Sequence, residues 1–125
     1  MVRKIIKVDV YSTEVEVIIT EDIYTASGKL GYGWDEEMKY WQAGCQSLEK
    51  KVEENKWAIK YVIFFEPNPT AKTVLHECLH MAIRILCHRG FKITLDNHEP
   101  LAYLQEYLFG EVEKIVKSTH LALKK

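Results

Sequence analysis

No stretch of this chain approaches the roughly 18 consecutive apolar residues that a membrane-spanning helix needs. The first nine residues are broken by Arg3, Lys4, Lys7 and Asp9, which leaves no clean apolar core for a signal peptide. Cysteine is scarce: Cys45, Cys78 and Cys87 make an odd number, and no Cys-x-x-Cys pair occurs. A disulfide framework is therefore not expected, and a reducing, cytoplasmic setting fits best. A surplus of one charge is also missing, since 17 Lys and Arg face 18 Asp and Glu. Nucleic-acid binders usually carry a basic excess, so that partner is not expected, nor is a membrane. With 125 residues, 47% of them apolar, the length predicts one globular domain, 1–125, with a single core. Oligomeric state is not legible at this level.

Hydrophobic periodicity predicts an α+β fold in the order ββ-α-β-α-α. Ile6, Val8 and Val10 alternate with Lys7, Asp9 and Tyr11, and Val15, Val17 and Ile19 with Glu14, Glu16 and Ile18. Residues 4 to 20 thus read as a hairpin turning at Ser12-Thr13. Residues 24 to 34 contain Gly28, Gly31 and Gly33 but no Gly-Lys-Ser/Thr, so they read as an exposed loop rather than a phosphate cradle. Asp35 predicts the cap of a helix running to about Asn55, with Met38, Trp41, Cys45, Leu48 and Val52 on one face. Trp57 to Phe65 reads as a strand, stopped by Pro67 and Pro69. A helix follows from about Ala71 to Arg89, with Gly90 as the residue just past its end. After a short extended piece, Phe91 to Leu95, a last helix covers roughly Glu99 to Lys117. Pro100 falls in its first turn, and Leu101, Leu104, Leu108, Val112 and Ile115 form its buried stripe.

The helix at 71–89 is apolar over most of its circumference, apart from Thr73, His76, Glu77, His80, Arg84 and His88. His76 and His80, four residues apart, project from the same side about 6 Å apart along the axis. Two ring nitrogens at that spacing can share one ion at about 2.0–2.1 Å, the usual zinc–histidine distance. Glu77 falls beside the ion without ligating it, where it can take a proton from a water acidified by the metal. This is the H-E-x-x-H arrangement of zinc peptidases, with manganese or iron as chemically tolerated substitutes for Zn2+. A third protein ligand is required for a catalytic site. The metzincin extension would need Gly at 83 and His at 86, and Ile83 and Leu86 exclude it. Glu99 at the start of the last helix is the first choice, with His98 and Glu106 as rivals. An acidic residue at that position also suits a helix N-terminus for electrostatic reasons alone. Tyr103, one turn after Glu99, is a candidate donor to a developing oxyanion, and equally a packing residue. Arg84 and His88 continue the polar line as solvent-facing or supporting groups, and His120 reads as a surface residue.

The segments Thr73-Val74-Leu75-His76-Glu77-Cys78-Leu79-His80 and Asp96-Asn97-His98-Glu99-Pro100-Leu101-Ala102-Tyr103-Leu104 resemble small phage- and prophage-encoded metallopeptidases. More distantly they look like the ImmA/IrrE group of gluzincin-like peptidases, which pair H-E-x-x-H with a later E-x-x-A. The likeness covers about residues 57 to 110. It implies a small zincin-like domain, a zinc ion held by His76, His80 and Glu99, Glu77 as general base, and a peptide or protein substrate. In enzymes of this kind the strand before the motif helix commonly takes the substrate as an added strand, a position held here by Trp57 to Phe65. The chain departs from longer gluzincins where Tyr103 replaces an acidic residue four positions after the third ligand, so the resemblance supplies no residue for that outer position. The alternative expectation is a zinc-binding accessory or regulatory protein of phage type that cleaves nothing.

Overall fold

A computed structural model describes the backbone of residues 1–124 and the side chains of residues 1–119. Among the described residues the architecture is mixed α and β, with one four-stranded sheet and three α-helices. The chain divides into two compact units, Met1–Pro67 and Asn68–Lys125. No helix among the described residues is long and apolar enough to cross a membrane.

The first unit holds the sheet. Strands β1 (Val2–Val8) and β2 (Thr13–Ile19) pair antiparallel from Val2↔Ile19 to Val8↔Thr13, as their alternation predicts. The turn differs from the expected Ser12-Thr13 pair. Asp9–Tyr11 forms a 3₁₀ turn, Ser12 takes the left-handed conformation with φ of 48°, and Thr13 already belongs to β2. Helix α1 (Ile23–Lys29) follows, capped by the Asp22 side chain accepting from the Thr25 N–H at 3.0 Å. It occupies part of the segment expected to be loop.

The predicted helix at 35–55 is not formed, and this is the main correction to the sequence reading. Asp35 does cap, but only a 3₁₀ turn at Glu36–Tyr40. Strand β3 (Ala43–Glu53) then pairs antiparallel with β4 (Lys56–Phe65) over its whole length. Two features explain the change. Trp41 lies across Gly44, where an added Cβ would stand 2.3 Å from the indole ring, so the chain needs glycine and an extended path there. Asn55, with φ of 66°, makes a two-residue turn that closes the hairpin at Glu53↔Lys56. The cross-strand partners offered by β4 outweigh the helical preference of the Glu- and Lys-rich segment 49–54.

The sheet order is β1-β2-β4-β3, with β2 and β4 parallel from Val15↔Tyr61 to Ile19↔Phe65. Tyr61 to Phe65 are all buried, the continuous apolar pattern of an interior strand. One sheet face contributes Ile18, Val62 and Phe64 to a buried cluster completed by Ile23 and Met38, with Tyr24, Leu30, Tyr32 and Trp41 packed on it. Of the expected helical stripe, Met38 and Trp41 thus join this core, Cys45 is buried and Leu48 half-buried on β3, while Val52 is exposed; Tyr24, Leu30 and Tyr32 of the expected loop also pack on it.

At the margin of this cluster Glu16 is buried on β2. Arg3 donates to its carboxylate from Nε at 3.1 Å and Nη2 at 2.8 Å, and the Tyr32 hydroxyl donates at 2.6 Å. Lys60 Nζ stands 3.6 Å away and 4.9 Å from the Tyr32 ring centre. Burial pushes the Glu16 carboxyl up, but the hydrogen bonds from Tyr32 and Arg3 and the charges of Lys60 and Arg3 outweigh it and hold it below 4.5. A folded value below the unfolded one means this stabilisation is full above about pH 4.5 and is lost as pH falls through the folded value. Glu16→Gln should therefore lower the urea midpoint near neutrality, with the gap to wild type shrinking on acidification. A gap that stays constant with pH would show that the carboxylate charge is not what Arg3 and Tyr32 hold.

The second unit is a pair of helices, α2 (Ala71–His88) and α3 (Glu99–Lys124), packed on each other. Both ends of α2 follow the sequence signals. The Thr70 hydroxyl accepts from the Thr73 N–H at 3.2 Å. At the other end Gly90 has φ of 82°, its N–H donates to Cys87 and the Phe91 N–H donates to Leu86, a Schellman arrangement. Phe91 to Leu95 forms no strand. The expected stripe of α3 is buried at Leu104, Leu108 and Val112 and half-buried at Leu101 and Ile115.

Candidate metal centre

The site rests on the second and third turns of α2. Val74, Cys78, Met81, Ala82, Ile85 and Leu86 are buried and fix the rotation of the helix about its axis. That rotation leaves His76 and His80 exposed on the opposite side. Their rings meet edge to face, with centroids 4.7 Å apart and the Nε2 atoms separated by 3.2 Å. Two nitrogens each about 2.05 Å from a tetrahedral ion are about 3.3 Å apart, so the observed separation suits a shared divalent metal. It equally suits an N–H···N hydrogen bond between neutral rings.

Glu77 behaves differently from the histidines. One residue further along the helix, about 100° round, it is only 8% exposed, and its Oε1 lies 4.0 Å from His76 Nε2. A carboxylate at that distance is beside the histidine pair without competing for the same bonds. Cys78, next in sequence, points inward. Burial, followed by the negative charges of Glu77 and Glu113, pushes its thiol up to about 12. At neutral pH the thiol stays protonated.

The remaining predicted residues are less closely grouped. Glu99 opens α3 with an exposed side chain, and His98 precedes it, also exposed. Among the described residues no three or more His, Cys, Asp or Glu side chains gather as a metal-holding group, so neither Glu99, His98 nor Glu106 joins the histidine pair as placed. Tyr103 is 68% exposed and lines a groove with Glu106, Tyr107, Gly110, Glu111 and Lys114 that includes neither histidine. Arg84 and His88 are exposed, as their place on the polar line implies, and the side chain of His120 lies outside the described residues.

One helix–helix contact was not foreseen. Gln105 Nε2 donates to the Leu75 carbonyl at 3.3 Å, tying α3 to the turn that carries His76. A polar residue inside the apolar stripe of α3 was the available signal.

The strand expected to receive substrate is also corrected. Over Tyr61 to Phe65, β4 is paired on both sides, by β2 and by β3, and has no edge to offer there. The neighbouring edge strand is β3, whose first half, Ala43 to Leu48, carries no charged residue. Comparison with protein-family models, with curated proteins and with solved structures returns no match for this chain.

Proposed function

We propose that this protein is a metal-dependent hydrolase acting on peptide or related amide bonds, with His76 and His80 as ligands and Glu77 as general base. The observation that carries the reading is the 3.2 Å separation of the two Nε2 atoms, with a buried carboxylate 4.0 Å from one of them. When bound, a divalent ion such as Zn2+ supplies Lewis acidity, which lowers the pKa of a water and polarises a carbonyl. Glu77 then accepts the proton from that water and returns it to the leaving amine. Glu99 is the proposed third donor, with His98 as the rival; neither stands with the pair as placed, so its ligation requires a side-chain or helix movement.

A second reading is favoured by the incomplete donor set: a zinc-binding accessory or regulatory protein that cleaves nothing. Calorimetric titration of the metal-free protein with Zn2+ tests the premise common to both. One ion per chain is expected, with affinity falling in His76→Ala and His80→Ala by more than the about 10–100-fold that loss of an outer-shell partner costs. Glu99→Ala against His98→Ala identifies the third donor. Failure of the wild-type chain to bind zinc in excess would leave the 3.2 Å contact as a simple ring–ring hydrogen bond and end both readings.

A further inference from the structure

The His76 side chain is 67% exposed and His80 is exposed beside it, with the two Nε2 atoms 3.2 Å apart. A zinc ion takes four donors in a tetrahedron, and this pair supplies two of them. Among the described residues no third His, Cys, Asp or Glu side chain joins the pair, and ligation by Glu99 needs a movement within the chain. A second copy of the same exposed pair completes the tetrahedron with no movement inside either chain.

Charge and geometry both agree with that arrangement. Four neutral imidazoles leave a divalent ion with its double positive charge. Glu77, 8% exposed with Oε1 4.0 Å from His76 Nε2, brings one negative charge from each chain, so two copies match the ion. The other charged residues of α2 are Lys72, four residues before His76, and Arg84, four residues after His80, both exposed. Helices lying side by side would set cation against cation, Lys72 against Arg84 if antiparallel and Lys72 against Lys72 if parallel. Tetrahedral coordination instead sets the two nitrogen pairs at right angles. The helices then cross steeply, and each cation is carried about one turn out from the crossing. Leu75, 47% exposed, with half-buried Leu79 and Ile83, runs alongside the histidines and gives the crossing an apolar flank. We propose that one divalent ion joins two copies of this chain, held by His76 and His80 of both, in a dimer that keeps the site latent. The inference rests on the metal-binding reading above and adds its regulation. Four protein donors leave no position for water, so the dimer is inactive and its separation into single chains opens the ion.

Sedimentation velocity and native mass spectrometry of the metal-free full chain, with Zn2+ added in steps, test it. The chain is expected to be monomeric without metal, to form a dimer carrying one ion at half an equivalent, and to return to monomer on chelation. Beyond one equivalent the dimer fraction should fall by mass action, because each chain then holds an ion of its own. His76→Ala or His80→Ala removes two of the four donors at once and should abolish the dimer at every zinc level. Both side chains are exposed, so an unchanged urea midpoint shows that the fold is kept. Glu99→Ala should leave the half-equivalent dimer intact. Zinc bound at one ion per chain with no dimer at any ratio would overturn the bridge and leave the hydrolase reading standing, whereas no zinc bound at all would end both. A dimer that forms without metal, or one that survives His80→Ala, would also overturn the bridge.

Discussion

Glu77→Gln is expected to leave zinc uptake unchanged while lowering peptide hydrolysis by about 10²–10⁴-fold, the usual contribution of a positioned general base. Glutamine keeps the shape and most of the hydrogen bonding of glutamate but cannot accept the proton. The residue is 8% exposed on a helix whose neighbours Val74, Cys78 and Met81 are wholly buried, so a same-sized replacement leaves packing intact. Turnover of a fluorogenic peptide library and zinc content are measured on the same preparations. Equal turnover in both proteins would remove Glu77 from the chemistry. If both bind zinc and neither cleaves any peptide, the accessory-protein reading takes over. Only the wild type turning over, with zinc equal in both, agrees with the proposed mechanism.

The second large effect concerns stability. Phe64→Ala should cost about 3–5 kcal/mol, because the removed ring leaves a cavity that an interior strand cannot collapse. Phe64 is fully buried between β2 and β3 neighbours and packs with Ile18, Ile23, Met38 and Val62. Trp57→Ala, on the same strand but 64% exposed, should stay within about 0.5 kcal/mol. Urea denaturation of the two variants gives the comparison. Similar losses at both positions would mean that the cluster around Phe64 is not the core of the sheet.

Legibility followed how local each determinant is. Helix α2 was readable end to end because Thr70, the apolar positions and Gly90 all act within one or two turns. The His76 and His80 contact was readable for the same reason, since the helix repeat alone brings the rings together. The segment 35–55 misled because Met38, Trp41, Cys45 and Leu48 satisfy a helical period by accident, while their burial comes from a 3₁₀ turn, a tryptophan folded over Gly44 and an edge strand. Asn55, between charged residues, is a turn signal in that stretch. Helix α1 was missed because glycines at 28, 31 and 33 outweighed the cap at Asp22. The third metal donor is a matter of tertiary placement, and no spacing rule reports where a side chain on another helix will lie.

The parallel pairing of β2 with β4 has a kinetic corollary. Each hairpin of the sheet joins residues close in sequence, but Val15 meets Tyr61 only after the whole excursion through α1 and β3 has been drawn together. Closing that loop costs chain entropy before any compensating contact forms. The two hairpins can therefore assemble early and independently, whereas their union down the middle of the sheet sets the pace of folding for the first unit. Until that seam closes, the greasy flank of Tyr61 to Phe65 is open to sticky encounters with other chains.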